Sequence, residues 1–381
     1  MKFLHISDLH IGKRLNEFSL IDDQKYILDQ ILHIARSKQV QAVLIAGDLY
    51  DKPVPSAEAV RVLDTFLTDL ADAGLKVFAV SGNHDSPERI AFGAQLMKGR
   101  GVYVSPVYAG AAVKIPMTDA YGELFVHLLP FVKPAVLRHV LEQEAQADAG
   151  LPESYHDAVK AAVERMEIDT SKRNILVAHQ FVTGAGRCDS EDISVGGMDN
   201  VDAEVFELFD YVALGHLHSP QSVGRETVRY CGTPLKYSFS EAEQVKSVTI
   251  VDCAAKGQLT LETVPLTPLH DMRKIRGAYL EVTARSFYED TNTEDYVQIT
   301  LTDEEDVPDG LSKLRIIYPG LMQLLYDNSR TKQNRMVELA EGAEQKSELE
   351  LFLEFYEMQN NQPMSQEQAA FVQKLIEQDA E

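Results

Sequence analysis

Three cysteines, Cys188, Cys231 and Cys253, are all the thiol chemistry that this chain of 381 residues offers. An odd count without Cys-x-x-Cys spacing argues against a disulfide framework or a cysteine zinc site and fits a reducing cytoplasm. Long apolar runs are missing too: none approaches the ~18 residues of a membrane span, and Asp8 and His10 stand where a cleavable leader needs an unbroken apolar core. A soluble, cytoplasmic protein is expected. Positive charge is scarce, with 36 Lys and Arg against 59 Asp and Glu and a net charge of −23. Because Lys and Arg supply most nonspecific affinity for nucleic acid, this balance argues against avid DNA binding by the chain alone. No Gly-x-x-x-x-Gly-Lys-Ser/Thr loop occurs, and Gly12-Lys13 runs into Arg14, so ATP binding must come from elsewhere. Internal repeats, low-complexity tracts, helix-turn-helix and zinc-finger signatures are also lacking.

What is present is an ordered series of polar clusters, each at the end of a short apolar run. Lys2 to Ser7, Ala42 to Ala46, Lys76 to Ser81, Asn174 to Ala178 and Tyr211 to Leu214 read as strands. They lead into Asp8-Leu9-His10, Gly47-Asp48, Gly82-Asn83-His84-Asp85, His179 and Gly215-His216-Leu217-His218. Helical spacing over Gln24 to Ser37 and Ser56 to Ala73 separates the early strands, a strand-helix alternation of an α/β fold. In such sheets ligands bind beyond the carboxyl ends of the strands, where every cluster falls.

Each cluster alone is an ordinary turn; jointly they hold five of the eleven histidines. A pair of divalent metals needs a bridging carboxylate with imidazole, amide and carboxylate groups around it. Asp8 and His10, like His216 and His218, are two apart, so each pair projects to one side of extended backbone. Asp48 is the natural bridge. The Asn83 carbonyl oxygen suits Mn²⁺ or Mg²⁺ beside carboxylates. His84 need not ligate and can instead donate a hydrogen bond or proton to a phosphoryl oxygen or leaving group. Lys13, Arg14, Lys52, Arg89, Arg187 and Lys236 border these loops as candidate contacts to a polyanion, or as solvated surface charges.

The order Asp-x-His, Gly-Asp, Gly-Asn-His-Asp, lone His, Gly-His-x-His resembles that of the calcineurin-like metallophosphoesterases. Within them, Val80 to Pro87, Ala178 to Gly184 and Tyr230 to Glu241 resemble the SbcD family of bacterial nuclease subunits. The resemblance implies a two-sheet sandwich flanked by helices, a small α+β capping domain and C-terminal helices. It implies one metal held by Asp8, His10, Asp48 and His218, a second by Asp48, Asn83, His179 and His216, His84 as the catalytic histidine, and water attacking phosphorus in line with the departing sugar oxygen. Mn²⁺ is the expected ion, with Mg²⁺ the other candidate. Archaeal relatives carry a histidine where this chain has Asp51; Asp51 and Asp85 are candidates for orienting neighbours of the ligands, Asp51 equally for a turn cap. The implied activity is exonuclease and endonuclease cleavage at DNA ends and hairpins, in repair, replication and recombination near the nucleoid. The implied partner is an SbcC-like coiled-coil ATPase.

Three segments are expected: a nuclease domain over 1–268, a DNA-capping domain over 269–328 and an acidic linker with docking helices over 329–381. Pro265-Leu266-Thr267-Pro268 reads as the first boundary, followed by strands over Gly277 to Thr283 and Tyr296 to Leu301. Arg273, Lys274 and Arg276 are either the cap's DNA contact or ordinary linker charges. Leu349, Phe352 and Leu353, then Phe371 and Leu375, form helical apolar faces suited to a partner's groove. In Ser56 to Ala73, Val60, Leu63, Leu67 and Leu70 read as one face and Val62 and Phe66 as another, which with the helix after Ser86 would form a homodimer interface. Two other classes stay open: a phosphoesterase acting on a small phosphodiester or phosphoprotein, and a non-enzymatic scaffold for DNA ends.

Overall fold

The computed structural model describes residues 1–144, 151–186, 188, 190–191 and 200–329, with isolated positions at 331, 352, 364, 368 and 372. Two six-stranded mixed sheets dominate it. The first runs Leu259–Pro265, Ser247–Cys253, Lys2–Ile6, Ala42–Ala46, Lys76–Val80, Val102–Val104; its last four strands are parallel, and its first two add on antiparallel. The second runs Gln221–Val223, Arg225–Tyr230, Tyr211–Gly215, Arg173–His179, Gly122–Leu129, Val113–Asp119, with its four central strands parallel.

Side-chain alternation along the strands builds three apolar layers from these two sheets. Leu4, Ile6, Val43, Ile45, Val77 and Ala79 face helices Ile21–Ser37 and Ala57–Asp72. Their neighbours Phe3, Ala42, Leu44, Ala46, Phe78 and Val80 turn inward to meet Val126, Leu128, Ile175, Val177, Tyr211 and Ala213 of the second sheet. Leu176, Ala178, Val212 and Leu214 cover the far side, against helices Pro134–Gln143 and Tyr155–Glu164. Strands buried on both faces read as continuous apolar runs, which is why these segments lack polar alternation. No helix among the described residues is long and apolar enough to cross a membrane.

Helix Ala57–Asp72 departs from the two-face expectation. Ser56 caps it by accepting from Ala59 N–H at 3.2 Å, and its buried stripe is Ala59, Val62, Leu63, Phe66 and Leu70, while Val60 is 43% exposed. Val62 and Phe66 therefore belong to the core; positions 59, 62, 63, 66 and 70 follow the 3.6-residue repeat better than two separate stripes do.

The chain divides into two compact units: 1–274 with 292–298 and 318–323, and 275–291 with 299–317 and 324–381. A three-stranded sheet is ordered Met272–Gly277, Tyr296–Leu301, Leu321–Tyr326. The strand expected from Gly277 instead ends there, and Ala278 opens a helical turn, Tyr279–Val282, with the Glu281 carboxylate accepting from Ala278 N–H at 3.3 Å. The basic residues between Met272 and Ile275 mask the strand's inward positions in the sequence. Within the second unit Val282, Ile299, Leu301 and Leu314 are buried. The expected C-terminal helices, with Leu349, Leu353, Phe371 and Leu375, lie outside the described residues; Phe352 is described singly.

Candidate metal centre

The polar clusters reach one place because backbone crowds there. A Cβ on Gly215 would stand 1.8 Å from the Ala46 carbonyl oxygen, and one on Gly82 would stand 2.1 Å from Asp48 Oδ1. Gly215 lets the two sheets touch, and Gly82 lets the loops after two neighbouring strands of the first sheet meet. Gly215→Ala is expected to cost at least about 3 kcal/mol, the upper end for an overpacked core, because the obstacle is backbone that cannot swing aside. The urea-unfolding midpoint measures it; an unchanged midpoint would contradict the close approach. Strain concentrates at the same loops. Of the eight non-glycine residues with positive φ among the described residues, Asp8 (52°), His10 (44°), Asp48 (49°) and His216 (105°) are four. Such conformations persist only where surrounding structure enforces them.

That enforcement is visible. His216 N–H donates to Asp8 Oδ1 at 2.9 Å, and the Ser7 hydroxyl donates to Asp8 Oδ2. His84 N–H donates to Asp48 Oδ1 at 2.9 Å. The Gln24 amide donates to the His10 carbonyl at 2.8 Å, and the Tyr237 hydroxyl donates to the Leu9 carbonyl at 2.6 Å. Asp85 clasps the loops after two strands: Oδ2 accepts from Leu49 N–H (3.1 Å) and Gly82 N–H (2.9 Å), and Oδ1 from Tyr50 N–H (3.0 Å).

Asp8, His10, Asp48, His179, His216 and His218 are buried, and Asn83 and His84 half-buried. Among the described residues, three sets bring ligand atoms within 4.8 Å of one another: Asp8, His10 and His218; His10, Asp48 and His84; Asp8, Asp48 and His179. Asp48 Oδ2 lies 3.4 Å from His179 Nε2, 3.7 Å from His10 Nε2 and 4.0 Å from His84 Nε2.

The donor arrangement fits cations. His179 Nδ1 must donate to the Ala46 carbonyl, 2.9 Å away, so the neutral ring presents the Nε2 lone pair. That lone pair points at Asn83 Oδ1, 2.8 Å away, and at Asp48 Oδ2; His216 Nδ1 approaches the same Asn83 oxygen at 3.0 Å. With both of these ring nitrogens deprotonated, acceptors converge on one place with no proton between them, which is what a metal satisfies; without a metal, a proton on His179 serves instead. Electrostatics agree: burial, reinforced by Asp48, pushes the Asp8 carboxyl up, while Asp48 itself is held well below the usual range by His179, His10 and His84 despite its burial. Against burial, Asp48 and Asp8 raise His179. The pocket attracts positive charge. Two clusters of His and Asp thus suit a dimetal centre, whose ligands come from both sheets.

Other sequence candidates scatter. Lys13 pairs with Asp51 at 2.8 Å and lies over the Tyr237 ring. The Asp51 carbonyl accepts from His84 Nδ1 at 3.2 Å, so the backbone of Asp51 orients His84 while its side chain faces Lys13. Arg14, Lys52 and Arg89 are exposed, Arg14 donating to the Glu17 carbonyl at 2.6 Å. Lys236 turns elsewhere, to the Ala242 carbonyl (2.6 Å) and Asp271 (2.8 Å), lining a cavity that no candidate ligand lines. Arg187 lies outside the described residues. Arg273 is engaged by Asp295 at 2.7 Å and Arg276 by Asp327 at 2.5 Å, whereas Lys274 lines a cleft of about 430 Å³ with Lys13, Tyr237, Ser238 and Ser240. Sequence reasoning misses Ser190, Glu191 and Lys246, which gather behind His218 together with Glu241. Nothing in their spacing marks them; of the four, only Glu241 falls in a stretch with a family resemblance.

A family model described as calcineurin-like phosphoesterase matches residues 1–220, and a second, described as type 5 capsule protein repressor C-terminal domain (SbcD_C), matches residues 268–360. The SbcD component of the SbcCD nuclease of Staphylococcus epidermidis is 31% identical over 383 residues, spanning 99% of this chain and 98% of its own. Two solved structures are more distant: a dimetal phosphatase from Danio rerio (14% identity, 70% of this chain and 98% of that one, TM-score 0.41) and a Thermus thermophilus protein (14%, 69% and 98%, TM-score 0.38). By a family model that covers more than half of it and by a relative aligned from end to end, the chain belongs to the calcineurin-like phosphoesterase family, within the branch of the SbcD nuclease subunits.

Proposed function

We propose that this protein is a metal-dependent DNA exonuclease and endonuclease subunit that hydrolyses phosphodiester bonds at ends and hairpins, driven by an SbcC-like coiled-coil ATPase. The observation that carries the reading is the end-to-end likeness to a nuclease subunit, joined to a clustered ligand set. Asp8, His10, Asp48 and His218 would hold one cation, and Asp48, Asn83, His179 and His216 the other; the oxygen of Asn83 favours Mn²⁺ over a softer choice. Bound there, the ions supply charge stabilisation at the phosphoryl oxygens and a nucleophile at neutral pH. His84 does the chain's own chemistry. Its Nδ1–H donates to the Asp51 carbonyl, so Nε2 carries a proton for the leaving oxygen only when the ring is cationic.

The cleft lined by Lys13, Ser238, Ser240 and Lys274 is suited to a phosphate backbone. With a net charge of −23, most DNA affinity would come from the ATPase. The proposed segments are the nuclease domain 1–268, a capping domain 269–328, and 329–381 for docking that ATPase. A homodimer would use the short helices after Ser86, where Phe92 and Leu96 are 85% and 84% exposed. Phe92→Asp with Leu96→Asp is expected to halve the mass seen by light scattering at micromolar concentration; a mass independent of both would count against this surface.

The decisive experiment incubates the purified chain, with and without the ATPase, with labelled duplex and hairpin DNA and Mn²⁺. Chelator-sensitive cleavage stimulated by ATP is expected. Hydrolysis confined to small phosphodiesters or phosphoproteins, or DNA binding without hydrolysis, would replace the reading with one of the other two classes.

A further inference from the structure

Behind His218 runs a line of polar groups, half-buried at Ser190 and buried at Glu241 and Lys246, for which the ligand scheme has no use. The Ser190 hydroxyl lies 2.6 Å from His218 Nδ1 and donates to Glu241 Oε1 at 2.5 Å. Glu241 is fully buried, and its other oxygen accepts from Lys246 Nζ at 2.5 Å. Lys246 also donates to the His218 carbonyl and to Gln244 Oε1, each at 2.9 Å. Holding His218 in place does not require this line. Glu191 already accepts from its N–H at 2.7 Å, and Thr233 N–H donates to its carbonyl at 3.2 Å. A buried ion pair is also an expensive scaffold, since apolar side chains of similar volume often stabilise as well or better.

What the line does is fix a direction. A carboxylate only accepts, and a hydroxyl has a single proton. With that proton given to Glu241, Ser190 Oγ can only accept from His218, so Nδ1 carries the ring hydrogen and Nε2 the lone pair. Nε2 is the atom that faces the ligand cluster, 3.3 Å from His10 Nε2. We propose that Glu241, its charge matched by Lys246, sets the tautomer of His218 through the Ser190 hydroxyl, which makes Ser190 and Glu241 positioning residues for one of the two cation sites. Outer partners of metal-bound imidazoles act in this way when they accept the second ring N–H directly; here the carboxylate acts through a hydroxyl whose sense it controls.

The proposal rests on His218 being a ligand, and its tests keep the two apart. In metal-free protein carrying ¹⁵N-histidine, the long-range ¹H–¹⁵N spectrum should show His218 protonated at Nδ1 alone, with the signal identified by its loss in His218→Gln. A hydrogen at Nε2 would overturn the relay while leaving the ligand scheme intact. Mn²⁺ titration by calorimetry reads the consequence. Ser190→Ala should weaken one site by roughly 10-fold, because Glu241 Oε1, 3.8 Å from Nδ1, can partly replace the hydroxyl, and Glu241→Gln by up to roughly 100-fold. The larger loss follows because the new amide can donate to Ser190, reverse the hydroxyl and place the hydrogen on Nε2. In the double variant the amide acts on Nδ1 only across the 3.8 Å gap, without the hydroxyl to carry its reversal, so the loss should be smaller than the two single losses combined. Simple accumulation of the two losses would overturn the proposal. If Glu241→Gln does not fold, the Ser190→Ala spectrum decides: a mixed tautomer supports the relay, and a pure Nδ1–H form with undiminished Mn²⁺ affinity refutes it. Unaltered Mn²⁺ binding in His218→Gln would remove the ligand assignment itself and the proposal with it.

Discussion

Asp48→Ala is expected to abolish Mn²⁺ binding at both sites and reduce phosphodiester hydrolysis to background. The reason is position. Asp48 stands in two of the three ligand sets, with Oδ2 within 3.4 to 4.0 Å of three imidazole nitrogens from His10, His84 and His179. No neighbouring carboxylate among the described residues replaces it, because Asp8 is engaged by Ser7 and the His216 N–H, Asp85 is spent on three backbone N–H groups, and Asp51 is paired with Lys13 at 2.8 Å. Metal content after gel filtration and cleavage of labelled DNA should both fall, while circular dichroism shows that the sheets remain. A variant that keeps both ions would remove Asp48 as the bridge.

His84→Ala should separate binding from chemistry. Metal occupancy is expected to stay, and DNA cleavage to fall by roughly 10²–10⁴-fold, the usual contribution of a positioned acid. The structure sharpens the test, because His84 shares a ligand set with His10 and Asp48 and so lies close enough to bind metal as well. The leaving group tells the roles apart. A nitrophenolate departs without a proton, so the variant should be nearly wild type on a bis(nitrophenyl) phosphate while failing on DNA. Equal loss on both substrates points to stabilisation of a phosphoryl oxygen, and loss of metal makes His84 a ligand.

The parallel strands and the clusters at their ends are legible in the sequence because both are local: apolar runs of strand length, and ligand pairs two residues apart. Their assembly from two sheets follows from strand pairing over long separations, as when Lys2 meets Asp252 and Gly215 meets His179. What cannot be read depends on three-dimensional closure alone. Ser190 and Glu241 meet across 51 residues, and no spacing rule signals a hydroxyl that will lie between an imidazole and a carboxylate. Phe66 is misplaced for a different reason. Positions 59, 62, 63, 66 and 70 make one stripe, but grouping the exposed Val60 with Leu63, Leu67 and Leu70 splits that stripe into two faces, and only the sheet beneath the helix selects the buried side.

The first strand, Lys2–Ile6, sits inside its sheet between Ala42–Ala46 and Ser247–Cys253. Chains emerge from the ribosome in sequence order and tend to fold as each domain is completed. Asp8 and His10 are therefore made early, yet the histidines facing them, His216 and His218, come more than two hundred residues later, and the strand that closes the far side of Lys2–Ile6 comes later still. Pairings at such distances are formed slowly. A nascent or truncated chain lacking the second half of the sandwich holds only Asp8, His10, Asp48, Asn83 and His84 of the proposed set, so hydrolytic capacity waits on the strands that bring His179, His216 and His218.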